Sequence, residues 1–158
     1  MSITSSPSTI DESRFSVRRS IRIAAPLEKV WSAITEPEHI SRWFGKAVFD
    51  GAGVGSRGTL TFPDYGAVPV LIESFEPPRL ISYRWSNVDA LGSVPDALDP
   101  EHATVFTFTL QEVTGGTLLT VVETGFETTS DPAANLESHR AGWDSELDKL
   151  VALLEEGA

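Results

Sequence analysis

Cysteine is absent from the 158-residue chain. That excludes disulfide frameworks, thiolate nucleophiles and Cys-ligated zinc or iron–sulfur sites, and it agrees with a reducing compartment, so a cytoplasmic setting is expected. Basic charge is scarce: 12 Lys+Arg stand against 23 Asp+Glu, a net charge of -11 at pH 7. A field of that sign repels phosphate backbones and anionic bilayers, so nucleic acid is not an expected partner. No apolar run approaches the ~18 residues of a membrane span, so no membrane insertion is expected. The opening MSITSSPSTIDESR lacks the apolar stretch of a secretory signal.

Several reactive patterns are missing too. The chain has no Gly-x-Ser-x-Gly elbow, no Walker-type loop and no His-Glu-x-x-His helix. His39, His102 and His139 have no metal-binding partner at helical spacing, so neither a metal nor a cofactor is expected. Gly53-Val-Gly55-Ser-Arg-Gly58 fits G-x-G-x-x-G to the letter, but strand-like residues 59–62 follow it. A pyrophosphate site needs a helix N-terminus there, so a glycine-rich hairpin connection is the expectation.

What is present is a chain of one-domain size with 41% hydrophobic residues. Residues 1–14 are rich in Ser and Thr and predict an unstructured tail, leaving 15–158 as a single domain. Residues 15–23 alternate apolar and polar side chains, a strand with one buried face on which Arg19 is the only breach. Ala24-Ala25-Pro26 opens a helix with the stripe Leu27, Val30, Trp31 and Ile34. Thr35-Glu36-Pro37-Glu38 matches a capping box and starts a second short helix carrying Ile40, Trp43 and Phe44.

From Gly45 the period is two. Strands are predicted at 47–50, 58–62, 68–75, 80–86, 104–111 and 117–126, separated by Gly and Pro turns. Ile81, Tyr83 and Trp85 share one face, as do Phe106, Phe108 and Leu110, and then Leu119, Val121 and Glu123. Residues 87–101 hold two prolines and four acidic side chains, and a connection that long predicts either a lid or a plain acidic loop. Asp131-Pro132 begins a last helix with the stripe Leu136, Trp143, Leu147, Leu150 and Leu154. Gly142 in its middle costs about 1 kcal/mol relative to Ala, so it predicts a close neighbour or room for a ligand.

This order predicts an α+β fold: a curved antiparallel sheet wrapped around a long C-terminal helix, with two short helices after the first strand. A straight helix on a curved sheet tends to leave a cavity. Its expected wall is Trp43, Phe44, Tyr83, Trp85, Phe106, Phe108, Leu119, Val121 and Trp143. Glu123 is the one carboxylate whose strand parity points inward, and a buried carboxylate must pair or do chemistry. Arg19 and Arg84 are its candidate partners; proton transfer or ligand anchoring is the alternative. His139, four residues before Trp143, borders the apolar stripe and is either a half-exposed helix histidine or a cavity residue.

The run from Ile21 to Phe44, IRIAAPLEKVWSAITEPEHISRWF, resembles the opening signature of the family related to the activator of the ninety-kilodalton heat-shock protein's ATPase. That family lies in the START-like, helix-grip superfamily also labelled SRPBCC. EPPRLISYRW ending at Trp85, TVVETGF ending at Phe126 and HRAGW ending at Trp143 match it further, in the family's order. The resemblance implies a helix-grip fold with a central cavity for small, mostly apolar ligands. Many relatives carry a histidine before the last Gly-Phe, where this chain has Glu123. The chaperone-activating relatives carry a further N-terminal domain with no counterpart in this sequence, so chaperone stimulation is not expected.

The function expected is therefore the binding of a small hydrophobic molecule, with Glu123 and His139 at its polar end. A cyclase/dehydratase-type enzyme using Glu123 or His139 is one alternative, and a co-chaperone-like protein-interaction module is another. An unpaired edge strand can also pair with a second copy, so a homodimer belongs among the expectations.

Overall fold

The computed structural model describes residues 7–63, 66–86, 98, 103–129 and 131–156. Eight strands and three helices follow in the order β1 (Thr9–Asp11), β2 (Ser16–Ile23), α1 (Leu27–Thr35), α2 (Pro37–Ile40), β3 (Lys46–Phe49), β4 (Arg57–Phe62), β5 (Gly66–Glu76), β6 (Leu80–Ser86), β7 (Ala103–Val113), β8 (Gly116–Thr124) and α3 (Pro132–Glu156). All strands join one antiparallel sheet in the order β1-β2-β8-β7-β6-β5-β4-β3. The α1–α2 pair thus carries the chain from β2, near one edge, to β3 at the other. This is the α+β helix-grip architecture.

Alternation sets the inner face. Register pairs Val17 with Glu123, Arg19 with Val121 and Ile21 with Leu119, so those six side chains share one side of the sheet. Thr104, Phe106, Phe108 and Leu110 continue it on β7, and Ile81, Tyr83 and Trp85 on β6. A bulge between Ile72 and Ser74 shifts the phase of β5 and brings Phe75 opposite Ile81, where it packs against Trp31. The α3 stripe Leu136, Trp143, Leu147, Leu150 and Leu154 is buried against this face.

Several expectations are corrected. Residues 9–14 are not a tail: Thr9–Asp11 pairs with β2, Glu12–Arg14 makes a 3-10 turn, and Ser8 donates to Asp144 through its N–H (2.7 Å) and Oγ (2.8 Å). A strand that short has too few residues to show a period. Phe15 lies outside β2, in the left-handed region with φ 47°. No capping box forms, because Thr35 is still inside α1 with its hydroxyl on the Trp31 carbonyl (2.7 Å) and Glu36 caps α2 without a side-chain bond. Pro37 takes the first position of α2, and that helix ends before Trp43 and Phe44. Residues 50–56 connect β3 to β4, with Gly53 and Gly55 at positive φ, while Gly58 already lies in β4. The acidic stretch 87–101, apart from Leu98, lies outside the described residues.

Candidate functional site

Trp43, Phe44, Tyr83, Trp85, Phe106, Phe108 and Trp143 converge as expected, but they pack on one another. Phe44 stacks on Trp43 and Trp143 with centroids 5.0 and 5.6 Å away, and Phe106 meets Trp85 edge-on at 4.7 Å and stacks on Tyr83 at 5.2 Å. Among the described residues one void of about 10 Å³ lies beside them, lined by Ile34, Ile40, Phe49 and Leu60 together with Trp43, Phe44, Tyr83, Phe106 and Phe108. That is room for about one water, far below a ligand-sized cavity of roughly 300 Å³ or more. Leu119 and Val121 are fully buried on the same face of the sheet and do not line that void. Among the described residues, aromatic side chains fill the space around this void.

Most polar atoms in the cluster are already committed. Trp43 Nε1 donates to the Ala33 carbonyl (2.8 Å) and the Tyr83 hydroxyl to the Ile34 carbonyl (2.6 Å). Both carbonyls belong to the last turn of α1, where no intrahelical donor remains. Burial holds the Tyr83 hydroxyl well above the ordinary tyrosine range.

Glu123 organises the rest. It is completely buried, and its Oε1 accepts from His139 Nδ1 (2.7 Å) and Trp143 Nε1 (2.9 Å). Its Oε2 accepts from Trp85 Nε1 (2.9 Å) and the Thr104 hydroxyl (2.5 Å). Burial alone pushes this carboxyl up, but the charge of His139 and the hydrogen bonds from His139, Thr104 and Trp85 outweigh it, so the group lies below the ordinary glutamate value. Neither expected partner is among these donors. Arg19 instead runs under α3 to the carbonyls of Trp143 (3.2 Å) and Asp144 (2.9 Å) and to Asp148 Oδ1 (2.8 Å), while Arg84 pairs with Glu73 at 2.7 Å on the outer face. The inward parity of Glu123 is correct. Its partner is a histidine on another element, which strand parity does not show.

His139 is held in turn. Its ring meets Phe126 (5.0 Å) and Trp85 (5.9 Å) edge-on, and its side chain stays 18% exposed. A carboxylate accepting at Nδ1 leaves Nε2 as the outward atom. Nε2 makes no hydrogen bond among the described residues. Three residues on, Gly142 has no described atom within 4 Å of where a Cβ would stand, so the expected close neighbour is absent among the described residues and the position faces open space. Trp85 and Phe62, 6.1 Å apart and half-buried, form the open edge of the cluster beside His139. Thr104 and Phe62 escaped the sequence expectations although their alternation with Phe106 and Leu60 marks them as inward. Among the described residues no group of His, Asp and Glu is placed to hold a metal ion. No described helix is long and apolar enough to cross a membrane.

The sequence pattern of the Activator of Hsp90 ATPase homolog 1-like protein family matches residues 24–155. The chain belongs to this family. No curated protein matches it. Among solved structures, protein MLL2253 from Mesorhizobium loti is 29% identical with a TM-score of 0.74, over 90% of this chain and 98% of that one. DynU16, from the dynemicin biosynthetic locus, is 24% identical with a TM-score of 0.71 over 90% of this chain, which spans only 48% of DynU16. The Aha1 dimer from Colwellia psychrerythraea is 22% identical with a TM-score of 0.69, over 90% and 97% of the two chains. The last two likenesses speak for the family's helix-grip fold alone.

Proposed function

We infer that this member of the family binds a small, flat, largely apolar molecule at the open edge of the aromatic cluster, between Phe62, Trp85 and the His139–Gly142 turn of α3. The observation that carries the reading is the half-buried aromatic edge beside an imidazole whose Nδ1 is locked by a buried carboxylate, next to open space at Gly142. A surface of this kind offers ring faces for stacking and one oriented polar atom, the usual make-up of a small-molecule site. The packing of the described rings favours the edge over the centre, since a ligand among them has to displace packed side chains. Native mass spectrometry of freshly purified protein tests this against the same sample denatured. A stoichiometric extra mass that leaves on denaturation is expected. A bare chain in both spectra, with no shift of the Trp85 and His139 NMR signals on adding naphthalene-sized aromatics, overturns it.

One observation favours a second reading. A carboxylate that orients an imidazole is the arrangement used for general base catalysis, so a proton-transfer enzyme of the cyclase/dehydratase type is consistent with the same site. In that case His139→Phe abolishes turnover while the molecule still binds.

A further inference from the structure

The three helices pack on the inner side of the sheet, and among the described residues no helix covers its outer side. Alternation turns Leu118, Thr120 and Val122 of β8 and Val105, Thr107 and Thr109 of β7 to that outer side. On β2, β8, β7 and β6 no outward position holds an acid, although the chain has 23 Asp+Glu. Two molecules of net charge -11 therefore meet least repulsion across this face. Charge returns at its margins with opposite signs: Arg18 stands outward on β2 and Glu76 on β5, and each of those strands lies two from β7. Both side chains are exposed, and neither makes an ion pair among the described residues. The register Arg18–Val122–Thr107–Ser82–Ser74 sets Arg18 level with Ser74, so Glu76 sits roughly 7 Å further along β5, within reach of a long side chain.

We propose that a second copy of this chain covers the outer face, the two sheets packing back to back about a symmetry axis that runs along β7. That axis lays β2 of one copy over β5 of the other, so Arg18 of each copy meets Glu76 of the other while the uncharged residues of β8, β7 and β6 fill the centre. Strands β2, β8, β7, β6 and β5 offer about 550 Å² per copy, about 1,100 Å² in all, which reaches the lower end of specific interfaces. The sheet edges offer a second copy less. β1 has only three residues, and on β3 the Ala47 N–H is taken by Ser41 Oγ (3.0 Å). The dimer expected from an edge strand is thus assigned to the face, on the opposite side of the sheet from His139 and independent of any ligand there.

Sedimentation equilibrium of the full chain at pH 7 in about 0.15 M NaCl, from about 1 to 300 µM, tests this. The mass should rise from 17.1 kDa to about twice that value, with a dissociation constant of the order of 10–100 µM for so small an interface. Arg18→Glu and Glu76→Arg should each weaken association about tenfold, because symmetry turns two attractions into two repulsions, and the double swap should restore it. Thr109→Glu, at an exposed position of the central strand, should leave monomer throughout, with an unchanged far-UV circular dichroism spectrum showing that the chain is still folded. A mass of 17.1 kDa at every concentration overturns the proposal. So does a dimer indifferent to these substitutions, which would place the contact on another surface.

Discussion

Glu123 keeps a charge without touching solvent because its oxygens already have His139, Trp143, Trp85 and Thr104 as donors. Glu123→Gln puts an amide N–H against one pair of those donors, so a loss of about 2–4 kcal/mol is expected in urea unfolding. The same group sets an acid limit. Its folded pKa lies below the ordinary 4.5, so the folded state binds its proton less readily than the unfolded chain does. Its contribution is therefore whole above pH 4.5 and fades as pH falls from there towards the lower folded value. The wild-type urea midpoint should drop more steeply below that pH than the midpoint of Glu123→Gln; parallel curves sink the assignment. Tyr83 works in the opposite direction. Its raised pKa makes its contribution whole below pH 10 and lost as pH rises further, so its phenolate absorbance should appear only with alkaline unfolding.

At the scale of elements, α3 is tied down from two sides. Its apolar stripe meets the sheet, while Arg19, 4% exposed, reaches from β2 to the Trp143 and Asp144 carbonyls and to Asp148. Ser8 grips Asp144 from the N-terminal side. Truncating Arg19 to Ala leaves buried space and unmet acceptors, and should cost about 2–4 kcal/mol by denaturant titration. Two glycines give the opposite test of local space. A Cβ at Gly58 would stand 1.9 Å from the Val48 carbonyl oxygen, whereas none at Gly142 meets a described atom within 4 Å. Gly142→Ala should therefore stabilise α3 by about 1 kcal/mol, raising Tm by roughly 2–4 °C, while Gly58→Ala should lower it. A fall in Tm for Gly142→Ala means that the space is already occupied.

Over the whole molecule acidic residues outnumber basic ones, 23 to 12. A net charge of -11 repels itself in the compact state, and salt screens that repulsion. Raising NaCl from about 0.05 to 0.5 M should increase Tm at pH 7. A decrease would assign more weight to exposed ion pairs such as Arg79–Glu112 than to the overall field.

The period of two on the sheet and of 3.6 on α3 was legible along the chain, since apolar side chains have to share a face before they can be buried. That is why the order of elements, the inner faces of β6, β7 and β8 and the inward Glu123 all follow from local pattern. Arg19 was legible as a breach, but its destination was not. Its acceptors are carbonyls more than a hundred residues later, which carry no mark in a side-chain pattern. The Glu123–His139 pair needed α3 to lie across β8 at one particular rotation, and the void depended on how six aromatic rings interlock. Burial is a property of one residue's period, while pairing and empty volume belong to distances between elements. Those distances exist only once the sheet has closed on the helix.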